Sequence, residues 1–112
     1  AKKLFDDAVA EIRRLELLMT TWRPDSEVSR INAAAGKAKV AVSQETYDVI
    51  AESLRAGELS SGTFDITFEA LHGLWKFDED LEPRPPSPAA LRKVLPLVNY
   101  RNVELDAETR SV

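Results

Sequence analysis

A chain of 112 residues, 44% apolar and 30% charged, has the length and composition of one globular domain or a piece of one. Its net charge is −4 with a pI near 5.0, and its 15 basic residues are scattered among 19 acids without a basic stripe, so no nucleic acid is expected as a partner. Cysteine is absent, which excludes disulfides and thiolate metal sites, and no apolar run approaches the roughly 18 to 20 residues of a membrane span.

Residues 3 to 22 carry Phe5, Ala8, Val9, Ile12, Leu15, Met19 and Trp22 at three-and-four spacing, which predicts one stripe of an amphipathic helix. Early acids (Asp6, Asp7) and later bases (Arg13, Arg14) suit its dipole. Thr20 and Thr21 weaken its end, and Pro24 forces residue 23 out of helical geometry, so the helix is expected to stop near Trp22. In "PDSEVSRINAAAG" either Asp25 or Ser26 caps a short helical turn that turns Val28 and Ile31 inward, and Gly36 ends it. "KAKVAV", residues 37 to 42, alternates as a short extended piece. Ser43 caps a second helix running to about Ser60, with Thr46, Val49, Ile50, Ser53 and Leu54 on one face.

The stretch "SSGTFDITFEALHGLWKF", residues 60 to 77, places one carboxylate, Asp65, among large apolar side chains after a glycine turn. A second short helix is expected to start near Ile66. "DEDLEPRPPSP", residues 78 to 88, reads as an exposed loop. Ser87 and Pro88 then open a helix over "PAALRKVLPLV" that Pro96 ends or kinks. "YRNVELDAETRSV" predicts a C-terminal hairpin: Val103 and Leu105 alternate with polar residues, 106 to 109 turn, and Ser111-Val112 begin the partner strand.

Most signatures of chemistry are missing. The four glycines have neither dinucleotide-fold nor P-loop spacing, and a single histidine, His72, cannot build a His metal cluster. Two places stand out. Trp22, before a proline break, either plugs the core or offers a flat ring at a pocket edge. Gly62-Thr63-Phe64-Asp65 sets a carboxylate directly after a glycine turn, where Asp65 either caps the helix near Ile66 or contacts a ligand. Physics alone puts the cap first, yet aromatic faces with backbone amides and a carboxylate also suit a nucleotide-like ligand.

"TTWRPDSEVSRIN" followed by "SSGTFDITFEALHGLWKF" closely resembles the ApbE family, the FAD:protein FMN transferases. The family pattern S-x-[WY]-x-x-x-S-x-[LIV]-S-x-[LIF]-N is matched from Thr20 to Asn32. The pattern G-x-[FM]-D-[IP]-T-x-x-x-L-x-x-L-W-x-F is matched from Gly62 to Phe77. "PPSPAALRKVLPLVNYRNVELD" also resembles the segment that follows, so the resemblance covers nearly the whole chain. "TFEAL" departs from the Thr-Val-Gly-Pro-Leu of many members but leaves Asp65, Thr67, Leu71 and Trp75 in place.

The resemblance implies an α+β fold, of which this chain would be a mainly helical N-terminal part, truncated at both ends, with the short C-terminal hairpin. It implies an enzyme that binds FAD and magnesium and moves FMN onto a threonine hydroxyl of a target protein. Trp22, Thr63, Phe64 and Asp65 would line the FAD site. Magnesium ligands and catalytic residues would lie beyond Val112, and no metal site or catalytic residue is expected within 1 to 112. Partners would be FAD, the target protein and the remainder of the domain, and the family suggests the bacterial periplasm or cell envelope. Alternatives are a relative that only binds or hydrolyses FAD, or a helical interaction module without a ligand.

Overall fold

The computed structural model describes residues 1–75 and 85–112, and they divide into two units: Ala1–Val49 with Leu105–Val112, and Ile50–Glu104. The described residues are mainly helical.

In the first unit, α1 spans Lys2–Met19, α2 spans Glu27–Ala34, and α3, Gln44–Leu59, contributes its first turns. The first helix ends earlier than its periodicity predicts, because Thr20 turns extended (φ −63°, ψ 141°). In a continuing helix the Thr20 carbonyl would accept from the N–H of residue 24, and Pro24 has none. Two hydroxyls take its place: Ser26 Oγ donates to Thr20 O at 2.5 Å and Ser29 Oγ at 3.4 Å. Ser26, rather than Asp25, is also the N-cap of α2, accepting from Ser29 N at 3.0 Å, and it is buried. One serine thus closes one helix and opens the next.

The start of α3 is held by an acid from α2. Glu27 accepts from Ser43 N at 2.8 Å, from Ser43 Oγ at 2.7 Å, and from the Thr46 hydroxyl. Its side chain is 13% exposed, and Thr46 is the most completely buried polar residue among the described residues at 1%. Burial alone would push the Glu27 carboxyl up. The hydrogen bonds from Thr46 and Ser43, with Arg30 nearby, outweigh it and hold the group below the usual carboxylate range. Arg14 of α1 adds an exposed ion pair with Glu45 at 2.8 Å, which contributes little in water.

The inward stripe expected of α1 is only partly covered. Val9, Leu15 and Met19 are half-buried, whereas Phe5 is 69% and Ile12 65% exposed, because nothing among the described residues packs over that end of the helix. On the α3 face, Thr46 and Ile50 are buried and Val49 is exposed.

Of "KAKVAV", Lys37 still belongs to the turn after α2, and the stretch that follows pairs with the far end of the chain. Val40 and Val112 exchange hydrogen bonds (2.8 and 3.0 Å), and Val42 N donates to Arg110 O at 3.1 Å. Of the expected C-terminal hairpin, the described residues form a turn at 106–111 and no paired strands. Asp106 Oδ1 accepts from the N–H groups of Glu108 and Thr109, and Asp106 and Ser111 form a single antiparallel bridge. Among the described residues the pairing stops at isolated bridges, and no longer strand is formed.

In the second unit, α3 closes at Leu59 with a paired C-terminal motif. Gly62 N donates to Gly57 O at 2.8 Å and Ser61 N to Glu58 O at 3.1 Å, with Ser61 (φ 53°) and Gly62 (φ 82°) left-handed. A 3₁₀ helix follows at Ile66–Leu71. Then come α4 at Pro88–Val94, capped by Ser87 with proline in the first turn, and 3₁₀ turns at Leu95–Leu97 and Tyr100–Asn102. The helix expected over 88 to 98 therefore ends before Pro96. Most of the loop expected over 78 to 88 falls on residues 76–84, outside the described residues.

Tyr100 is the hub of this unit. It is 6% exposed, and the Arg101 guanidinium lies over its ring at 4.6 Å. Its ring sits so close to Gly57 that a Cβ there would be 2.9 Å from Tyr100 Cγ. The hydroxyl has no hydrogen-bond partner among the described residues, so the unit uses the ring.

Two substitutions test these contacts by denaturant unfolding. Gly57→Ala gains helix propensity but overlaps the ring base, and is expected to destabilise by about 1 to 3 kcal/mol; equal or higher stability would mean that Tyr100 has room to move. Glu27→Ala leaves the Ser43 N–H and the Thr46 hydroxyl without their acceptor, and is expected to cost about 1 to 3 kcal/mol at neutral pH. A loss below about 0.5 kcal/mol would show the network to be dispensable.

Candidate functional site

Thr63, Phe64 and Asp65 follow the Gly62 turn in the second unit, and Trp22 belongs to the first. Their surroundings differ. Asp65 is the N-cap of the 3₁₀ helix Ile66–Leu71. Its Oδ1 accepts from Thr67 N at 2.8 Å and from Thr67 Oγ1 at 2.6 Å, and its Oδ2 accepts from Tyr100 N at 2.9 Å. Thr67 Oγ1 in turn accepts from Asn99 N at 2.8 Å. The two segments are tied together through one carboxylate and one hydroxyl. Burial would push the Asp65 carboxyl up, but the Thr67 hydroxyl and the N–H groups of Thr67 and Tyr100 outweigh it and hold the group below the usual carboxylate range.

Phe64 and Thr63 lie between that knot and the end of α3. Phe64 N donates to Ser60 Oγ at 3.0 Å and Thr63 N to Ser60 O at 3.2 Å. The Phe64 side chain remains 48% exposed, and Thr63 is exposed. The backbone is fixed while the side chains face outward.

Trp22 lies beyond the end of α1, with its N–H on Thr20 Oγ1 at 3.2 Å, and is 93% exposed. Among the described residues it plugs no core: the helix ends at Met19, so Trp22 does not continue the stripe. It borders an open hollow of about 450 Å³ with Glu16, Leu17, Thr20 and Arg23. Arg23 grips Asp25 through two hydrogen bonds (3.1 and 2.9 Å) across Pro24, shaping the turn that carries the indole.

His72 is exposed and lies 3.1 Å from Glu69, its neighbour one turn back. Among the described residues no group of three or more His, Asp or Glu side chains is placed to hold a metal ion.

The model of the ApbE family matches residues 2–112. The chain belongs to the ApbE family. The FAD:protein FMN transferase of Klebsiella pneumoniae (strain 342) is 36% identical over 87 residues, covering 70% of this chain and 25% of that protein. The FAD:protein FMN transferase of Treponema pallidum (strain Nichols) is 31% identical over 96 residues, covering 86% of this chain and 26% of its own length. Among solved structures, the ApbE protein of Thermotoga maritima superposes with a TM-score of 0.85 at 27% identity, over 98% of this chain and 36% of that one. The flavin transferase ApbE from Vibrio cholerae gives 0.81 at 27% identity, over 97% and 36%. The chain thus spans about a quarter of the length of these curated ApbE relatives.

Two signals for this site went unread in the sequence. Thr67 stands two residues after Asp65, the spacing at which a threonine N–H and hydroxyl both reach an aspartate. Gly57 inside a helix marks a close approach, here of Tyr100.

Asp65→Asn keeps the shape and removes the charge. Wild-type stability from Asp65 is present above the unfolded carboxylate pKa of about 3.9 and is lost as pH falls through the lower folded value. The variant is expected to be less stable by about 1 to 3 kcal/mol at neutral pH. Denaturant melts across the acid range should show the gap closing as pH drops; a constant gap would mean that the charge is not its source.

Proposed function

We propose that residues 1–112 are the helical N-terminal part of an ApbE-like domain whose larger fold is α+β, with the 106–111 turn as one of its hairpins. We propose further that the whole protein is an FAD:protein FMN transferase. The observation that carries this reading is the family match over residues 2–112, together with relatives that bear that name. In the proposed reaction a threonine hydroxyl oxygen of the target protein attacks the phosphorus on the FMN side of FAD. The anhydride bond breaks, AMP leaves, the hydroxyl proton is released, and a phosphoester forms. Such a transfer depends on positioning and on charge stabilisation.

The side chains present suit the flavin nucleotide. Trp22 and Phe64 expose flat ring faces for stacking, and Thr63 exposes a hydroxyl. We assign Trp22, Thr63, Phe64 and Asp65 to the FAD site, with Asp65 acting there through the loop it holds. No group of three or more His, Asp or Glu among the described residues suits magnesium; we assign its ligands outside this segment on the family resemblance, and no step is routed through it.

Trp22 gives the direct test in the full-length protein. Because it is 93% exposed, Trp22→Ala should leave Tm unchanged. It should weaken FAD binding severalfold, given that aromatic pairs contribute about 0.5 to 1.5 kcal/mol beyond area burial. Trp22→Phe keeps a flat face and should retain most of the binding. Unchanged affinity in Trp22→Ala removes Trp22 from the site. A full-length wild-type protein that leaves no flavin fluorescence on a target protein after denaturing electrophoresis would overturn the transferase reading.

A further inference from the structure

Phe64 and Thr63 stand between two anchors. Upstream, Ser60 Oγ accepts from Phe64 N at 3.0 Å and Ser60 O from Thr63 N at 3.2 Å. Downstream, Asp65 is tied to Thr67, and Thr67 to Asn99. The Thr67 hydroxyl uses both of its capacities: it donates to Asp65 Oδ1 at 2.6 Å and accepts from Asn99 N at 2.8 Å. A hydroxyl placed so defines a geometry in two directions at once.

We propose that Thr67 is a positioning residue for FAD binding: its hydroxyl couples the Thr63–Asp65 segment to residues 99–100 and thereby sets where the Phe64 ring and the Thr63 hydroxyl stand. The proposal rests on the assignment of residues 63 to 65 to the FAD site. Thr67 acts through its neighbours and needs no contact with the nucleotide. Valine at this position fills the same space but can neither donate to Asp65 nor accept from Asn99. Serine keeps both bonds and loses only a methyl group.

The test uses the full-length protein, with FAD as the titrant and binding read per folded molecule. Thr67→Val should raise the Kd for FAD by about tenfold, while Thr67→Ser stays within about twofold of wild type. The KM for FAD should rise in Thr67→Val, with kcat at saturating FAD near the wild-type value. A purely structural threonine would lower Tm in Thr67→Val and leave the Kd of the folded molecules unchanged, and that result overturns the proposal. Should Thr67→Val not fold, Thr67→Ala decides: a Kd raised about tenfold in its folded molecules, with Thr67→Ser near wild type, supports the hydroxyl account, and wild-type affinity in Thr67→Ala overturns it. A wild-type protein that binds no FAD at all overturns the functional assignment, and this proposal with it. Wild-type binding with an indifferent Thr67→Val overturns this proposal alone.

Discussion

The carboxylate of Asp65 takes three hydrogen bonds from within the chain and so joins segments 35 residues apart in sequence. A buried-edge carboxylate without donors would cost free energy and stay protonated. With the Thr67 hydroxyl and two backbone N–H groups around it, it stays ionised and fixes three things together. The 3₁₀ helix starts at Ile66, Tyr100 is drawn onto Gly57, and the Thr63–Phe64 pair is left facing outward. The position of the candidate site therefore follows from a structural bond network.

The same device recurs elsewhere. The described residues hold few fully buried apolar side chains, with Val42, Ile50 and Tyr100 as the core. Short helices have many ends, and each end leaves backbone groups without partners. Side-chain oxygens supply them: Ser26 and Ser29 at the Thr20 carbonyl, Glu27 at the start of α3, Ser87 at α4 and Asp106 in the last turn. With Asp65 they include three acids, Glu27, Asp65 and Asp106, held below the usual carboxylate range by hydroxyl and amide donors, so acid conditions act on both units.

Local signals were legible in the sequence because they depend on neighbours within a few positions. A cap at Asp25 or Ser26, Gly36 as a stop, the start of α3 after Ser43 and Pro88 opening α4 all follow from residues close at hand. What escaped was set at a distance. Periodicity carried α1 through Trp22, whereas hydroxyls six and nine residues on take over the Thr20 carbonyl and end it at Met19. The partner of "KAKVAV" is Arg110–Val112, some 70 residues away, which no alternation pattern reveals. Glu27 reads locally as a first-turn acid favoured by the helix dipole, yet its carboxylate caps a different helix.

This division of labour changes how the two family patterns should be read. In the first, Thr20, Ser26 and Ser29 form one hydrogen-bonded corner, and Trp22 projects from it into solvent. In the second, Asp65 and Thr67 form another after the left-handed Gly62, and Thr63 and Phe64 project between them. Ser26, Ser29, Asp65 and Thr67 build backbone shape by supplying partners to backbone groups, and Gly62 does so by taking a left-handed φ. The Trp22 and Phe64 rings pack little within the described residues. A match to the polar positions alone thus reports a fold, and the proposed contact with a planar ligand rests on the exposed Trp22 and Phe64 rings between them.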